Sequence, residues 1–188
     1  MAHNHKVAGS SPAPATKIST SRKWGFYFIP VTICTMQNRR VAVRGVVLKD
    51  GKLLCVRLKK HKDNATDEGQ DFWCTPGGGV DVGESLITAL EREFIEETGI
   101  KPDVGNLLYV QQFSHNDWEH LEFFFDIINS EDYEDIDLEA TTHGAIEIAE
   151  VGFIDPAVNT VLPIFLTTED LVLDSAKGVT KVFNNFAE

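Results

Sequence analysis

Glu93, Glu96 and Glu97 stand at i, i+3 and i+4 in a stretch of helical apolar spacing. They therefore project within an arc of roughly 100° on one side of a helix. Like charges at that spacing repel by roughly 0.2–0.5 kcal/mol per pair in an isolated helix, and acids are unfavourable in the last turn, where the dipole is negative. Arg92 offsets part of this by pairing with Glu96 at i+4. The remaining carboxylates suit a hard divalent cation such as Mg2+, which takes a few carboxylate oxygens together with substrate phosphates and water. Just upstream, Gly77-Gly78-Gly79 is backbone that can approach a ligand or metal closely. Acids on a helix are ordinarily a solvated face; three of them in a last turn, behind a triple-glycine turn, argue against that.

The elements that must hold this group follow from pattern. A helix is expected over 84–98, with Ile87, Leu90 and Phe94 facing the core, Gly99 as its stop and Pro102 beyond. Upstream, apolar β-branched residues 41–48, the Asp50-Gly51 turn and residues 53–58 read as a hairpin. A polar loop over 59–71, a short strand over 72–75 and an irregular turn over 76–79 come next. Downstream, strands are expected over 107–113 and 119–128, the second buried on both faces because of Phe123-Phe124-Phe125. An acidic loop over 130–139 precedes a strand near 146–154. Residues 156–166 are expected to be a second helix, opened by Asp155 and disturbed by Pro163; residues 167–188 carry no clear pattern. The class is α/β with a mixed sheet, since the hairpin demands an antiparallel pair and too few helices alternate with strands for a doubly wound sheet.

The 188 residues carry 17 Lys+Arg against 29 Asp+Glu, a net charge of −12, which disfavours general nucleic-acid binding and an anionic membrane surface. The charge is unevenly spread. Residues 39–62 hold nine Lys/Arg and one acid, whereas residues 102–176 hold seventeen acids and no Lys or Arg. That division suits a bound cation or a small anionic ligand. Cys34, Cys55 and Cys74 are odd in number and form no C-x-x-C, which argues against a disulfide framework and a zinc knuckle and fits a cytoplasmic protein. Residues 1–35 are expected to be a disordered or non-native extension. Gly9-Ser10-Ser11-Pro12 is what the T-arm of a transfer-RNA gene encodes when translated in one frame, which makes Met36 the expected first residue. The domain is then expected over 36–170, with a tail over 171–188.

The full spacing, Gly78-x5-Glu84-x7-Arg92-Glu93-Phe94-Ile95-Glu96-Glu97-Thr98-Gly99-Ile100, resembles the Nudix box, with Phe94 where an aliphatic residue is usual. The resemblance implies an α/β/α sandwich whose catalytic helix is 84–98, and an enzyme that hydrolyses a nucleoside diphosphate linked to another moiety with Mg2+ or Mn2+. Carried over, it makes Glu93, Glu96 and Glu97 metal ligands, with Glu93, then Glu97, as the base. Arg92 would orient a glutamate, the Gly77 or Gly78 carbonyl would add a ligand, and Glu84 would stand outside the metal's immediate shell. Further downstream acids, Glu122, Glu139, Glu147 and Glu150, include a candidate extra ligand, with Glu147 and Glu150 nearest the usual place. Arg57 and Arg44 are candidate phosphate contacts, together with the Gly78 backbone, and Trp118 is a candidate stacking surface ahead of Trp73, Phe113 and Phe124.

A non-catalytic Nudix-fold regulator is the competing class, and survival of all three metal glutamates favours the enzyme. Among substrates, the SQPWPFP signature of NADH pyrophosphatases and the coenzyme A motif are absent. His115 stands about where ADP-ribose-specific members carry Pro. The expectation is a small-molecule nucleotide, a nucleoside triphosphate (oxidised ones included), with ADP-ribose or another nucleotide sugar as the alternative. No membrane partner is expected; a homodimer is common among relatives.

Overall fold

The structure, a computed structural model, describes residues 38–60, 69–115 and 117–185. The expected extension over 1–35 lies outside the described residues, as does the 61–68 part of the polar loop.

The described chain begins with strand β1 (Asn38–Lys49), turns at Asp50-Gly51 and returns as β2 (Lys52–Leu58). Asp50 and Gly51 hold φ of 50° and 76°, the double positive φ that a two-residue Asp-Gly hairpin turn needs. The two strands then part, keeping only the pairs Leu48↔Leu53 and Lys49↔Lys52. From Asn38↔Trp118 to Val47↔Ile127, β1 runs parallel to a strand formed much later in the chain. In chain order, β3 (Trp73–Cys74) is followed by helix α1 (Leu86–Thr98), β4 (Val104–His115), β5 (Trp118–Ile127), the single-turn α2 (Gly144–Glu147), β6 (Ile148–Ile154) and β7 (Val161–Leu162). The described chain closes with α3 (Phe165–Thr168), α4 (Leu171–Lys177) and β8 (Lys181–Asn185). The sheet order is β7-β3-β2-β1-β5-β4-β8, with β6 against β2 off that path. Pairings β1–β5, β3–β7 and β4–β8 are parallel and the rest antiparallel, so the expected mixed sheet is what forms.

Strand alternation sends Val43 and Val47 of β1 to one side of the sheet and Val46 to the other. On the first side they pack with Leu54, Phe125, Ile127 and the α1 residues Ala89, Leu90 and Phe94. On the second, Val46 joins Leu53, Cys55, Tyr109 and Phe124 under Phe165, Leu166 and Leu171 of α3 and α4. A Cβ on Gly45 would lie 2.2 Å from the Phe94 ring, so the absence of a side chain there is what lets α1 seat on β1.

Three local expectations are corrected. Helix α1 begins at Leu86, with Ser85 Oγ accepting from the Thr88 N–H at 3.1 Å, and Glu84 lies in the preceding turn. Ile87 is 40% exposed; the inward face is Ala89, Leu90 and Phe94, with Leu86 packed at its margin. No helix spans 156–166: Asp155 Oδ1 accepts from the Ala157 N–H at 2.9 Å in a turn, and Val161-Leu162 pairs with β3. Pro163, lacking an N–H, could not have continued such a helix, and Val161 is drawn into the core instead.

Residues 171–185, unassigned from pattern, belong to the folded body. Asp174 of α4 accepts from the Tyr109 hydroxyl at 2.8 Å and from Lys181 Nζ of β8 at 2.6 Å. Phe183 stacks on Phe165 with ring centroids 4.3 Å apart. Among the described residues, no helix is long and apolar enough to cross a membrane.

Candidate active site

The parting of β1 and β2 leaves an edge of β1 open beyond the hairpin, and the glycine turn fills it. Gly45 N–H donates to Pro76 O and Val43 N–H to Gly78 O, both at 2.9 Å, and Val80 N–H donates to Val41 O at 3.0 Å. Gly77 sits at φ 128°, where a Cβ would also lie 2.2 Å from the Val43 carbonyl oxygen. Its N–H donates to Glu97 Oε2 at 2.8 Å, and its carbonyl accepts from Arg44 Nη1 at 2.7 Å. A Cβ on Gly78 would fall 2.4 Å from the Glu93 carboxylate, so Glu93 lies directly on the turn's backbone. The sheet thus fixes the turn, and the turn fixes two of the three glutamates.

Arg92 fixes the rest. Its Nε and Nη2 grip the two oxygens of Glu84 at 3.1 and 3.0 Å, and Nη2 also donates to Gly79 O at 2.9 Å. Nη1 donates to Glu93 Oε1 at 2.8 Å and to Glu96 Oε2 at 3.0 Å. The planar fork of a guanidinium is what lets one residue satisfy four groups. These bonds, that to Glu84 above all, raise the Arg92 pKa further, and the bonds from Arg92 hold the Glu84 carboxyl below the usual carboxylate range. Glu84 is thereby an anchor between turn and helix.

Glu97 is the buried member, at 9% exposure. Burial pushes its pKa up to about 7; the Gly77 N–H and Arg44 oppose the shift, while Glu93 and Glu147 add to it. Its neighbourhood is therefore short of positive charge. His143 Nδ1 lies 3.3 Å from Glu96 Oε2, and the His143 N–H donates to the Glu96 carbonyl at 3.0 Å, bringing the start of α2 against the end of α1. Among the described residues, no three His, Cys, Asp or Glu side chains close round a common cation position. Clustered hard oxygen donors of net negative charge nonetheless fit Mg2+, which binds through one or two carboxylates completed by phosphate and water rather than in an all-protein cage.

Arg44, on the side of β1 that faces α3 and α4, connects this group to a cavity of about 470 Å3. Its Nη1 also donates to Thr75 O at 3.3 Å, and Nη2 stands 3.9 Å from Glu122 Oε1. Burial opposes the Arg44 charge, but the charges facing it, among them Glu122, Glu97 and Glu93, outweigh burial and raise its pKa. Glu122, one of four downstream acids singled out, is buried in the cavity wall. Gln70, Phe72, Gln111 and Phe113 line the same cavity.

The other sequence candidates are placed elsewhere. Arg57 forms an ion pair with Glu150 and lies 5.2 Å over the Trp73 ring, outside the cavity lining. Trp118 is 44% exposed at the start of β5, also outside that lining, and Phe124 is core. Glu147 acts on Glu97 through its charge, whereas Glu139 lies exposed in a short 3-10 turn. Phe72 and Gln111 were missed because adjacency in this cavity is set by register between distant strands, Gln111↔Glu122 among them, which no local pattern records.

The family described as NUDIX domain matches residues 38–159. An ADP-ribose pyrophosphatase of Methanocaldococcus jannaschii is 34% identical over 95 residues, 48% of this chain and 53% of that protein. An RNA pyrophosphohydrolase of Pelagibacter ubique is 45% identical over 56 residues, 30% of this chain and 31% of that protein. The chain thus spans about half or less of the length of these curated relatives. The solution structure of the E. coli ORF135 protein superposes with a TM-score of 0.55 at 20% identity, covering 75% of this chain and 94% of that one. That likeness establishes the fold.

Proposed function

The chain belongs to the Nudix domain family, and on that premise we propose that it hydrolyses a phosphoanhydride bond in a nucleoside diphosphate linked to another moiety. The observation that carries this reading is the seating of Glu93 and Glu97 on the Gly77–Gly79 turn, with Glu96 tied to Glu93 through Arg92, beside a cavity of about 470 Å3. Glu93, Glu96 and Glu97, with the Gly77 carbonyl and Glu147 at the margin, would hold Mg2+ or Mn2+. When bound, the ion neutralises phosphoanhydride charge and acidifies a water.

The chain's own groups do the rest. Glu93 commits Oε1 to Arg92 and, among the described residues, no hydrogen bond reaches Oε2, which supports reading Oε2 as the oxygen that would take the water's proton. Arg92 keeps that carboxylate pointed at the turn. Arg44, held by the Gly77 carbonyl, presents the remaining guanidinium edge to phosphate between the glutamates and the cavity. The cavity, walled by Phe72 and Phe113, takes the base.

A nucleoside triphosphate is the substrate read first, because the cavity of about 470 Å3 beside Arg44 suits one nucleoside. ADP-ribose is the second reading, favoured by the M. jannaschii relative. Hydrolysis of a nucleotide panel with Mg2+, with products identified, tests both. Activity should vanish in EDTA and return with Mg2+, and activity that persists in EDTA would overturn the metal assignment.

A further inference from the structure

We propose that Asn185 is a substrate-binding residue that hydrogen-bonds the nucleoside end of the nucleotide, an inference that rests on the reading of this site as one for nucleotides. Leu162, Pro163, Ile164 and Asn185 all line the cavity of about 470 Å3, and all lie beyond residue 159, where the family match ends. The chain thus completes its cavity from outside the matched stretch. Leu162, Pro163 and Ile164 supply apolar wall; of the four, Asn185 is the one whose side chain can hydrogen-bond.

Strand β8 brings this residue to the cavity. Side chains alternate along a strand, so Lys181, Phe183 and Asn185 share one side and Val182 and Asn184 the other. On the first side Lys181 pairs with Glu169 and Asp174, and Phe183 stacks on Phe165. Those contacts pin β8 in place, and its parallel register with β4 then sets Asn185 beside Phe113, itself a lining residue. Val182 and Asn184 are exposed. Along the sheet order β1-β5-β4-β8, the cavity takes Arg44, Glu122, Phe113 and Asn185 from four successive strands. Arg44 stands at the glutamate end, and Asn185 lies three strands away, about 14 Å across the sheet at the usual strand spacing. Asn185 therefore meets the part of the substrate remote from the phosphates. Its amide offers both a donor and an acceptor, which suit the sugar hydroxyls and base edge of a nucleoside. A contact so far from the reacting bond is the same before and during reaction, so it governs KM rather than kcat.

Asn184 and Asn185 are the same residue type on opposite sides of one strand, which makes Asn184→Leu the control for Asn185→Leu. The test compares both full-chain variants with the wild type in hydrolysis of ATP, GTP, CTP, UTP and ADP-ribose with Mg2+. Calorimetric binding of AMP, GMP, CMP and UMP in EDTA runs beside it. For the nucleotide that the wild type turns over best, Asn185→Leu should raise KM about 3- to 10-fold, the range of one neutral hydrogen bond. The monophosphate bound most tightly should weaken by the same factor. Neither kcat nor the Mg2+ concentration for half-activity should move by more than about twofold, and Asn184→Leu should match the wild type throughout. Asn185→Ala takes the place of Asn185→Leu if the latter does not fold. Unchanged KM and binding, a loss confined to kcat, or an equal loss in Asn184→Leu would overturn the proposal. Weakened monophosphate binding in a protein that hydrolyses no nucleotide would leave this inference standing and sink the hydrolase reading; hydrolysis indifferent to position 185 would do the reverse. A wild type that neither binds nor hydrolyses any of these nucleotides would end both.

Discussion

The Gly77 N–H donates to Glu97 Oε2 at 2.8 Å, tying the buried end of the acidic helix to the turn that packs along β1. A glutamine at position 97 retains an oxygen that can accept the same bond, so Glu97→Gln separates charge from geometry. Turnover should fall by orders of magnitude while circular dichroism and the melting temperature in EDTA stay at or above the wild-type values. Near-normal turnover would show that the Glu97 charge has no part in the reaction.

The same carboxyl makes metal-free stability depend on pH. Its pKa is raised by folding, from about 4.5 to about 7, so the folded state holds the proton more tightly than the unfolded one. That contribution is fully present below about pH 4.5 and is lost as pH rises through about 7. In EDTA, the wild type should therefore lose stability relative to Glu97→Gln between pH 5 and pH 8. Chemical denaturation of the two proteins across that range gives the difference; a gap that does not widen with pH would contradict the burial argument.

Arg92 serves Glu84, Glu93, Glu96 and Gly79 through one planar group. Lysine has the charge but not the fork, so Arg92→Lys should leave at least two of these partners unsatisfied. Activity should drop about 10- to 100-fold, as for other groups that orient metal-binding side chains, and the Mg2+ concentration for half-activity should rise. Kinetics titrated with Mg2+ distinguish this from simple unfolding, which would lower active protein without shifting the half-activity point.

Phe94 occupies the place where a Cβ of residue 45 would be, 2.2 Å from its ring. Gly45→Ala should therefore destabilise the protein by about 1–3 kcal/mol through overpacking. In a Phe94→Leu background the same change should cost markedly less, because a shorter side chain leaves room for the methyl. A double-mutant cycle by urea denaturation measures the coupling. Simple additivity would mean the two positions do not share the space.

Residues that act within one segment were legible in the sequence, and those that meet across segments were not. The Asp50-Gly51 hairpin, the acidic helix and its Gly99 stop each follow from neighbours a few positions apart, and all appear. The Arg92–Glu96 pair was visible for the same reason; the longer grip on Glu84 spans the turn between them and was not. The expected helix over 156–166 failed because Val161 and Leu162 are claimed by β3, a tertiary pairing that outweighs local pattern. Trp118 looked like a stacking surface by its setting in a polar loop, yet it heads β5, while Phe72 reaches the cavity.

The long parallel pairing of β1 with β5 has a consequence for how the protein comes into being. Partners such as Ala42 and Glu122 are eighty positions apart, so closing that contact carries a large loop entropy and slows folding. A growing chain that has just released residue 100 from the ribosome already holds the whole acidic motif. On its own, however, a helix of thirteen residues is marginal in water. The motif is then a string of repelling charges awaiting a platform, and it gains its fixed geometry only after a strand that begins at Trp118 has been made. A nascent chain stalled between these points should be helical at most in part and open to proteases.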